Sequence, residues 1–203
     1  MKKILPLFSY LFHPIFIPVF ACLFYFFANE NYYSYSNFEI YLILFQVVII
    51  TIFIPISFFY LLKSLGKIDS VMVSDLSQRK LPLIMQIILI LVLIKKGTTQ
   101  DRIPELYFFF LGGLVSTIIA LIFLFCKIKA SLHMVGISSL LFFVIGLSIR
   151  NQSNFINSIS FLVLMTGIVA SSRLEMKAHT NKELVFGFIT GIIPQIILWQ
   201  YWL

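Results

Sequence analysis

Charged side chains are scarce in this sequence. Asp, Glu, Lys and Arg make up 11% of its 203 residues, while 60% of the residues are hydrophobic. A soluble domain usually carries about 25% charged residues. The shortage excludes an ordinary soluble protein. It indicates an integral membrane protein, because most of the chain falls into apolar stretches close to the ~20 residues that cross a bilayer as a helix.

Cysteines and the motifs of metal-dependent enzymes are equally sparse. The two cysteines, Cys22 and Cys126, match no metal-binding spacing. The chain contains no His-Glu-x-x-His pair, no paired aspartate clusters and no Gly-x-Ser-x-Gly elbow. These absences exclude the usual zinc, magnesium-dependent and serine-hydrolase types of membrane enzyme. We expect neither a metal nor another cofactor.

Acidic residues are fewer than basic ones, 8 against 15, which gives a formal net charge of +7. Such an excess can indicate a nucleic-acid partner. Here the basic residues lie in short segments between apolar stretches and form no basic tract. Orientation in the membrane is the simpler explanation, and we expect membrane lipids rather than nucleic acid as partners.

The apolar stretches predict an all-α fold, a polytopic transmembrane helix bundle that forms a single domain over residues 1–203. The first stretch is too long for the 7–15-residue core of a signal peptide. The third has an apolar core of 13 residues, which is about 20 Å of helix against a hydrocarbon layer of ~30 Å. We therefore expect six to seven spans, near residues 4–28, 39–62, 81–95, 105–126, 133–149, 155–171 and 184–202.

The distribution of Lys and Arg predicts the orientation of these spans. With seven crossings, the N-terminal side of the membrane carries 11 basic residues and the other side carries 4. Positive charge accumulates in cytoplasmic loops, so we expect the N-terminus and its companion loops in the cytoplasm. The compact chain and its richness in Phe, Ile and Lys favour a bacterial inner membrane. The 11 residues are Lys2, Lys3, Lys63, Lys67, Arg79, Lys80, Lys127, Lys129, Arg173, Lys177 and Lys182; the 4 are Lys95, Lys96, Arg102 and Arg150.

Three segments between the predicted spans contain unusual polar residues. Residues 74–82 read Ser-Asp-Leu-Ser-Gln-Arg-Lys-Leu-Pro, residues 129–133 read Lys-Ala-Ser-Leu-His, and residues 172–183 read Ser-Arg-Leu-Glu-Met-Lys-Ala-His-Thr-Asn-Lys-Glu. With seven crossings the three segments share one side of the membrane. If residues 81–95 do not cross, the second and third segments lie opposite the first.

The last of these segments resembles the third signature of the type 2 phosphatidic acid phosphatase superfamily. That signature is Ser-Arg, five residues, His, three residues and Asp. Ser172, Arg173 and His179 match it, and Glu183 replaces the aspartate.

The other two segments resemble the remaining signatures of the same superfamily. Ser131 and His133 match positions of the second signature, Pro-Ser-Gly-His, while Ala130 and Leu132 replace its proline and glycine. Arg79 followed by Pro82 resembles the first signature, Lys, six residues and Arg-Pro. Two residues separate Arg79 from Pro82, and Met72 stands where that signature has lysine. The resemblance runs from about residue 75 to the C-terminus.

The resemblance implies metal-independent phosphate transfer through histidine. His179 would attack the phosphate and form a phosphohistidine that water later hydrolyses. Glu183 would hold the other ring nitrogen, which keeps a neutral imidazole ready to attack. We expect that contact from an i,i+4 spacing on a helix. His133 would protonate the leaving alcohol or phosphate.

The resemblance also implies a cradle for the transferred phosphate. Arg79, Arg173 and Ser131 would bind its oxygens, and Lys80 would replace the missing lysine. Fixed cations and N–H donors stabilise the charge of a transferring phosphoryl group. Because the site lies at the ends of spans, it suits a lipid phosphate or polyprenyl diphosphate substrate.

Structural explanations exist for most of the same residues. Arg173, Lys177 and Lys182 also suit cytoplasmic anchoring, Glu183 suits the N-terminal dipole of the last helix, and Ser131 suits a helix cap. His13 beside Pro14 lies within the first apolar stretch, where we expect a packing or kink role.

Three functions are compatible with the sequence. The first is a membrane-embedded lipid phosphatase. The second is an inactive member of the same fold that binds or transports lipid, which the departures in the first two signatures favour. The third is a small channel or solute carrier, which the nearly charge-free spans disfavour.

Overall fold

The computed structural model describes residues 4–27, 35–68, 77–98 and 100–203. No strand occurs in these ranges, so the predicted all-α class is confirmed for the described part of the chain. A π-helical turn, Ile49–Phe53, joins α3 to α4 in one continuous helix, and a 3₁₀ turn, Ser77–Arg79, precedes α5. The helices are α1 (Leu5–Leu11), α2 (Ile17–Phe27), α3 (Asn37–Val48), α4 (Ile54–Ser64), α5 (Lys80–Lys96), α6 (Pro104–Phe125), α7 (Leu132–Arg150), α8 (Ile156–Glu175) and α9 (Asn181–Trp199).

Five helices in the described residues are long and apolar enough to cross a membrane: Asn37–Ser64, Pro104–Phe125, Leu132–Arg150, Ile156–Glu175 and Asn181–Trp199. Their length and composition make the chain an integral membrane protein. The expected count of six to seven exceeds these five, because α5 has 17 residues and the first apolar stretch is divided.

The first apolar stretch is broken rather than continuous. Residues 12–16 separate α1 from α2. Pro14 has no amide hydrogen, and its ring blocks the carbonyl four residues earlier. The amide of His13 donates instead to the nearer carbonyl of Tyr10 at 3.3 Å. The first predicted span, near residues 4–28, is therefore divided into α1 and α2 at the position where a packing or kink role was expected for His13, and the break holds His13 in a non-helical turn.

Helices α7 and α9 pack with little space between their backbones. A Cβ atom added to Gly187 would overlap the Ser131 carbonyl, and one added to Gly191 would overlap the Ser138 hydroxyl and the Val135 carbonyl. The close approach lets Ser138 and Ser139 donate to the Phe188 and Gly191 carbonyls, both at 3.1 Å. Small residues allow such contacts between membrane helices. This packing fixes the start of α7 against the start of α9.

The described parts of the three polar segments, which for the first segment are residues 77–82, lie together at one end of the bundle. The Arg79 guanidinium donates to the Ala130 carbonyl at 3.4 Å, and the Lys129 ammonium donates to the Ala178 carbonyl at 2.9 Å. The Ser131 amide donates to the Glu183 carbonyl at 3.1 Å. Backbone and side-chain contacts therefore join segments that are up to a hundred residues apart in the chain.

A second polar cluster lies at the N-terminal end of α6 and the C-terminal end of α7. Arg150 Nε lies 2.8 Å from the buried carboxylate of Glu105, and the Tyr25 hydroxyl donates to the same carboxylate at 3.1 Å. Arg150 also donates to the Trp202 carbonyl. Because every member is paired, this cluster serves as a clamp that ties α2, α6, α7 and the C-terminus together.

Candidate functional site

A cavity of about 180 Å³ lies inside the bundle, beside the end at which the three polar segments meet. Arginine and histidine side chains form one part of its lining, and mostly apolar side chains form the other. The apolar part continues along α5 and α6 through residues such as Ile90, Leu93, Phe109 and Phe110. The charged and imidazole side chains that line it are His13, Arg79, His133, Arg173 and His179.

Arg173 contributes a buried cation to this cavity. It lies in the last turn of α8, and only 5% of the residue is exposed. Its Nε has no hydrogen-bond partner, and its Nη1 contacts the Met176 sulfur at 3.7 Å. Among the described residues no carboxylate lies within ion-pairing distance of it. The carbonyl end of the helix dipole offsets part of the charge, but a buried guanidinium without an anion costs several kcal/mol.

His179 is paired with Glu183, as the sequence predicts. Its Nδ1 lies 2.9 Å from Glu183 Oε2. The carboxylate also accepts from the Thr180 amide at 3.2 Å, and Thr180 and Glu183 form a capping box at the start of α9. The expected helical i,i+4 geometry was wrong, because His179 precedes the N-cap. The folded-back glutamate of the capping box makes the contact instead.

The hydrogen bond sets the tautomer of His179. A carboxylate accepts but does not donate, so Nδ1 carries the proton in the neutral ring and Nε2 carries the lone pair. Lys129, 3.9 Å from Glu183 Oε2, adds a cation beside the carboxylate. Nε2 is thus the nitrogen that can act as a nucleophile.

Burial keeps this imidazole neutral. Burial is the largest cause that lowers the pKa of His179; the hydrogen bond to Glu183 raises the pKa, and the nearby cations Arg79, Arg173 and Lys129 lower it. Together these effects bring the pKa from the ordinary value of 6.5 to about 4. At neutral pH the ring therefore holds its lone pair, as attack on phosphorus requires.

The depressed pKa predicts how stability depends on pH. Between pH 6.5 and about 4 the unfolded state takes up a proton at His179 while the folded state does not. Stability therefore falls as the pH is lowered through this window. We expect the wild-type melting temperature to drop more between pH 7 and pH 4.5 than that of His179→Asn, with Lys182→Gln as the control. Parallel curves for wild type and His179→Asn would contradict this assignment.

His133 is buried at the start of α7, and its Nε2 lies 3.0 Å from the Ser9 carbonyl. A carbonyl only accepts, so Nε2 is the donor in this contact. That carbonyl belongs to the last turn of α1, where helical carbonyls have no partner within the helix. This contact links α1 to α7. It uses Nε2, so Nδ1 is the ring nitrogen of His133 that the contact leaves unused.

Arg79 lies at the N-terminus of α5 and is 9% exposed. It lines the cavity together with Arg173 and His179. Two guanidinium groups near one cavity repel each other unless an anion lies between them. The arrangement therefore suits a ligand with several negatively charged oxygens.

Two residues of the predicted cradle do not line the cavity. Lys80 is exposed, and its ammonium lies 5.3 Å from the centre of the Phe125 ring. Ser131 is fully buried with an unpartnered hydroxyl, and its amide is occupied by Glu183. Ser131 stands at the N-cap position of α7 but makes no side-chain capping bond, so the capping explanation was wrong too. The lysine position at Met72 lies outside the described residues, as do Lys2 and Lys3.

Sequence reasoning assigned His13 a packing or kink role and did not place it in the site. The ring lines the cavity, and its centroid lies 5.1 Å from that of His133 in an edge-to-face arrangement. The sequence feature that could have indicated His13 as a site residue is its place as an intramembrane histidine beside a proline.

In the described part of the chain, no three His, Cys, Asp or Glu side chains are grouped closely enough to hold a metal ion. A scan of the sequence against models of known protein families, and searches for similar curated proteins and similar solved structures, found no match.

Proposed function

We propose that the protein is a membrane-embedded phosphatase that removes phosphate from a lipid phosphate or diphosphate head group through a phosphohistidine at His179. The observation that carries the proposal is the buried Arg173 guanidinium, which shares a cavity with a neutral, carboxylate-bound imidazole. A phosphate group supplies the negative charge that this arginine does not find among its neighbours.

The chemical steps follow from the tautomers. His179 Nε2 forms a bond to phosphorus while the bond from phosphorus to the lipid oxygen breaks. Protonated His133 donates one N–H to the Ser9 carbonyl and its Nδ1–H to the leaving oxygen. Water then attacks the phosphohistidine and gives its proton to His133, which releases inorganic phosphate and restores His179. Arg79 and Arg173 stabilise the charge on the phosphoryl oxygens throughout.

The rest of the cavity supports a lipid substrate. Beyond the cationic and imidazole residues its lining is mostly apolar, including Leu93, Phe109 and Phe110 in the interior of the bundle. A phosphate head at the arginines thus leaves hydrocarbon surface for the adjoining part of the chain. We propose six to seven crossings in a bacterial inner membrane, with α5 and the α1–α2 pair beside the five long helices. The N-terminus and the site would then face the cytoplasm.

A second function is an inactive relative of this fold that binds or carries phospholipid. The positions of Lys80 and Ser131 favour it, because both residues lie outside the cavity. Such a protein binds lipid phosphate but releases no phosphate from it.

The test is phosphate release by the purified protein in detergent with a chelator present. We expect release of inorganic phosphate from phosphatidic acid or a polyprenyl diphosphate, because the proposed steps use only side chains and water. Movement of lipid between vesicles without phosphate release would favour the carrier instead.

A further inference from the structure

We propose that His13 is a further phosphate-binding residue of this cavity and donates its Nε2–H to a phosphoryl oxygen as a neutral imidazole. The inference rests on the proposed function of the same cavity and adds a residue from the N-terminal part of the chain, outside the three polar segments.

The break between α1 and α2 brings His13 to the site. The Ser9 hydroxyl lies 2.6 Å from the Ser172 hydroxyl, next to Arg173 on α8. The Ser9 carbonyl binds His133 at 3.0 Å. The last turn of α1 is therefore fixed to α7 and α8, and the non-helical turn that follows holds His13 in the lining of the cavity.

The hydrogen bonds of the two neighbouring rings give them different roles. His13 Nδ1 accepts from the Ile15 amide at 3.4 Å, so the proton of neutral His13 lies on Nε2. His133 uses its Nε2–H on Ser9, so only its Nδ1 remains. Neutral His13 is therefore an N–H donor toward the cavity, whereas Nδ1 of His133 is the nitrogen that the proposed function uses toward the leaving oxygen.

Charge also favours a neutral donor at His13. Arg173 lines the same cavity, and among the described residues no carboxylate lies within ion-pairing distance of it, so a protonated His13 would repel its guanidinium. A neutral N–H adds a hydrogen bond to the phosphate without that cost. Within the described residues the His13 ring contacts the Ile15 amide through Nδ1 and the His133 ring edge to face, and no hydrogen bond involves its Nε2.

The test measures binding of inorganic phosphate to the purified protein by calorimetry. A hydrogen bond to a charged group typically changes affinity on the order of tenfold or more, so we expect that loss in His13→Leu. His13→Gln keeps a side-chain N–H and should stay within about threefold of wild type. Thr117→Val is the matched control, because Thr117 also lines the cavity but its hydroxyl already donates to Gly113 at 2.7 Å.

The outcomes separate this inference from the proposed function. Unchanged phosphate affinity in His13→Leu overturns the inference, and so does an equal loss in His13→Leu and His13→Gln accompanied by a lower melting temperature. In either case phosphate release by the wild type would still support the phosphatase. Phosphate binding that depends on His13, without any turnover of lipid, would support the inference and contradict the proposed phosphatase activity. A wild type that binds no phosphate and turns over no lipid overturns both.

Discussion

His179→Ala should abolish phosphate release from a lipid phosphate. Removing a nucleophile that forms a covalent intermediate typically costs on the order of a thousandfold or more in turnover. The neutral ring, its fixed Nδ1–H and its place in the cationic cavity all prepare Nε2 for attack. Alanine removes that atom and leaves the capping box of Thr180 and Glu183 in place. The rate of phosphate release at saturating lipid measures the effect.

The control for this experiment is Lys182→Gln. Lys182 lies on the same segment but is exposed, so its loss should change turnover little. Turnover by His179→Ala close to the wild-type rate would assign the nucleophile to another residue. Equal losses in both variants would point to a general disturbance of the segment.

Arg173→Leu should lower activity and raise stability at once. Loss of a fixed cation that stabilises transition-state charge typically costs about a hundredfold to a thousandfold in turnover. In the absence of ligand, the same change removes a buried guanidinium that has no carboxylate within ion-pairing distance in the described part of the chain. Replacing buried charged groups by well-packed apolar residues is often neutral or stabilising by about 1–4 kcal/mol. Phosphate release and chemical unfolding in detergent measure the two effects.

Arg102→Gln serves as the control for this pair of measurements. The Arg102 side chain is 66% exposed and pairs with Glu39 at 3.1 Å on the surface, where solvent screens the interaction and it contributes little to stability. We expect neither activity nor stability to change much. A clear loss of stability in Arg173→Leu would show that Arg173 serves the fold rather than an anion.

The helices were largely predictable because the hydrophobic pattern determines which residues leave water. A kink beside Pro14 was among the expectations, but a full break into two helices was not, since membrane helices often accommodate a proline. The end of α8 also differs from the prediction: the helix continues to Glu175, four residues beyond the expected span. Apolar composition marks the limit of the hydrocarbon, whereas the helix ends where its backbone hydrogen bonds end. Arg173 is helical for that reason.

The site was predictable where spacing alone brings groups together. The pairing of His179 with Glu183 follows from four residues of separation, although the capping box supplies its geometry. The positions of the Lys80 and His13 side chains could not be predicted from spacing in the sequence. The direction of Lys80 depends on the rotation of α5 about its axis, and the position of His13 depends on how α1 packs against α8. Tertiary packing sets both.

The most direct measurement of the central claim is the location of the phosphoryl group during turnover. Purified protein is mixed with a lipid phosphate, quenched in alkali, which preserves phosphohistidine, and digested for mass spectrometry. We expect one phosphorylated peptide, modified at His179 and missing from His179→Ala. Phosphate release with no modified histidine, or with the phosphoryl group on a different residue, would contradict it.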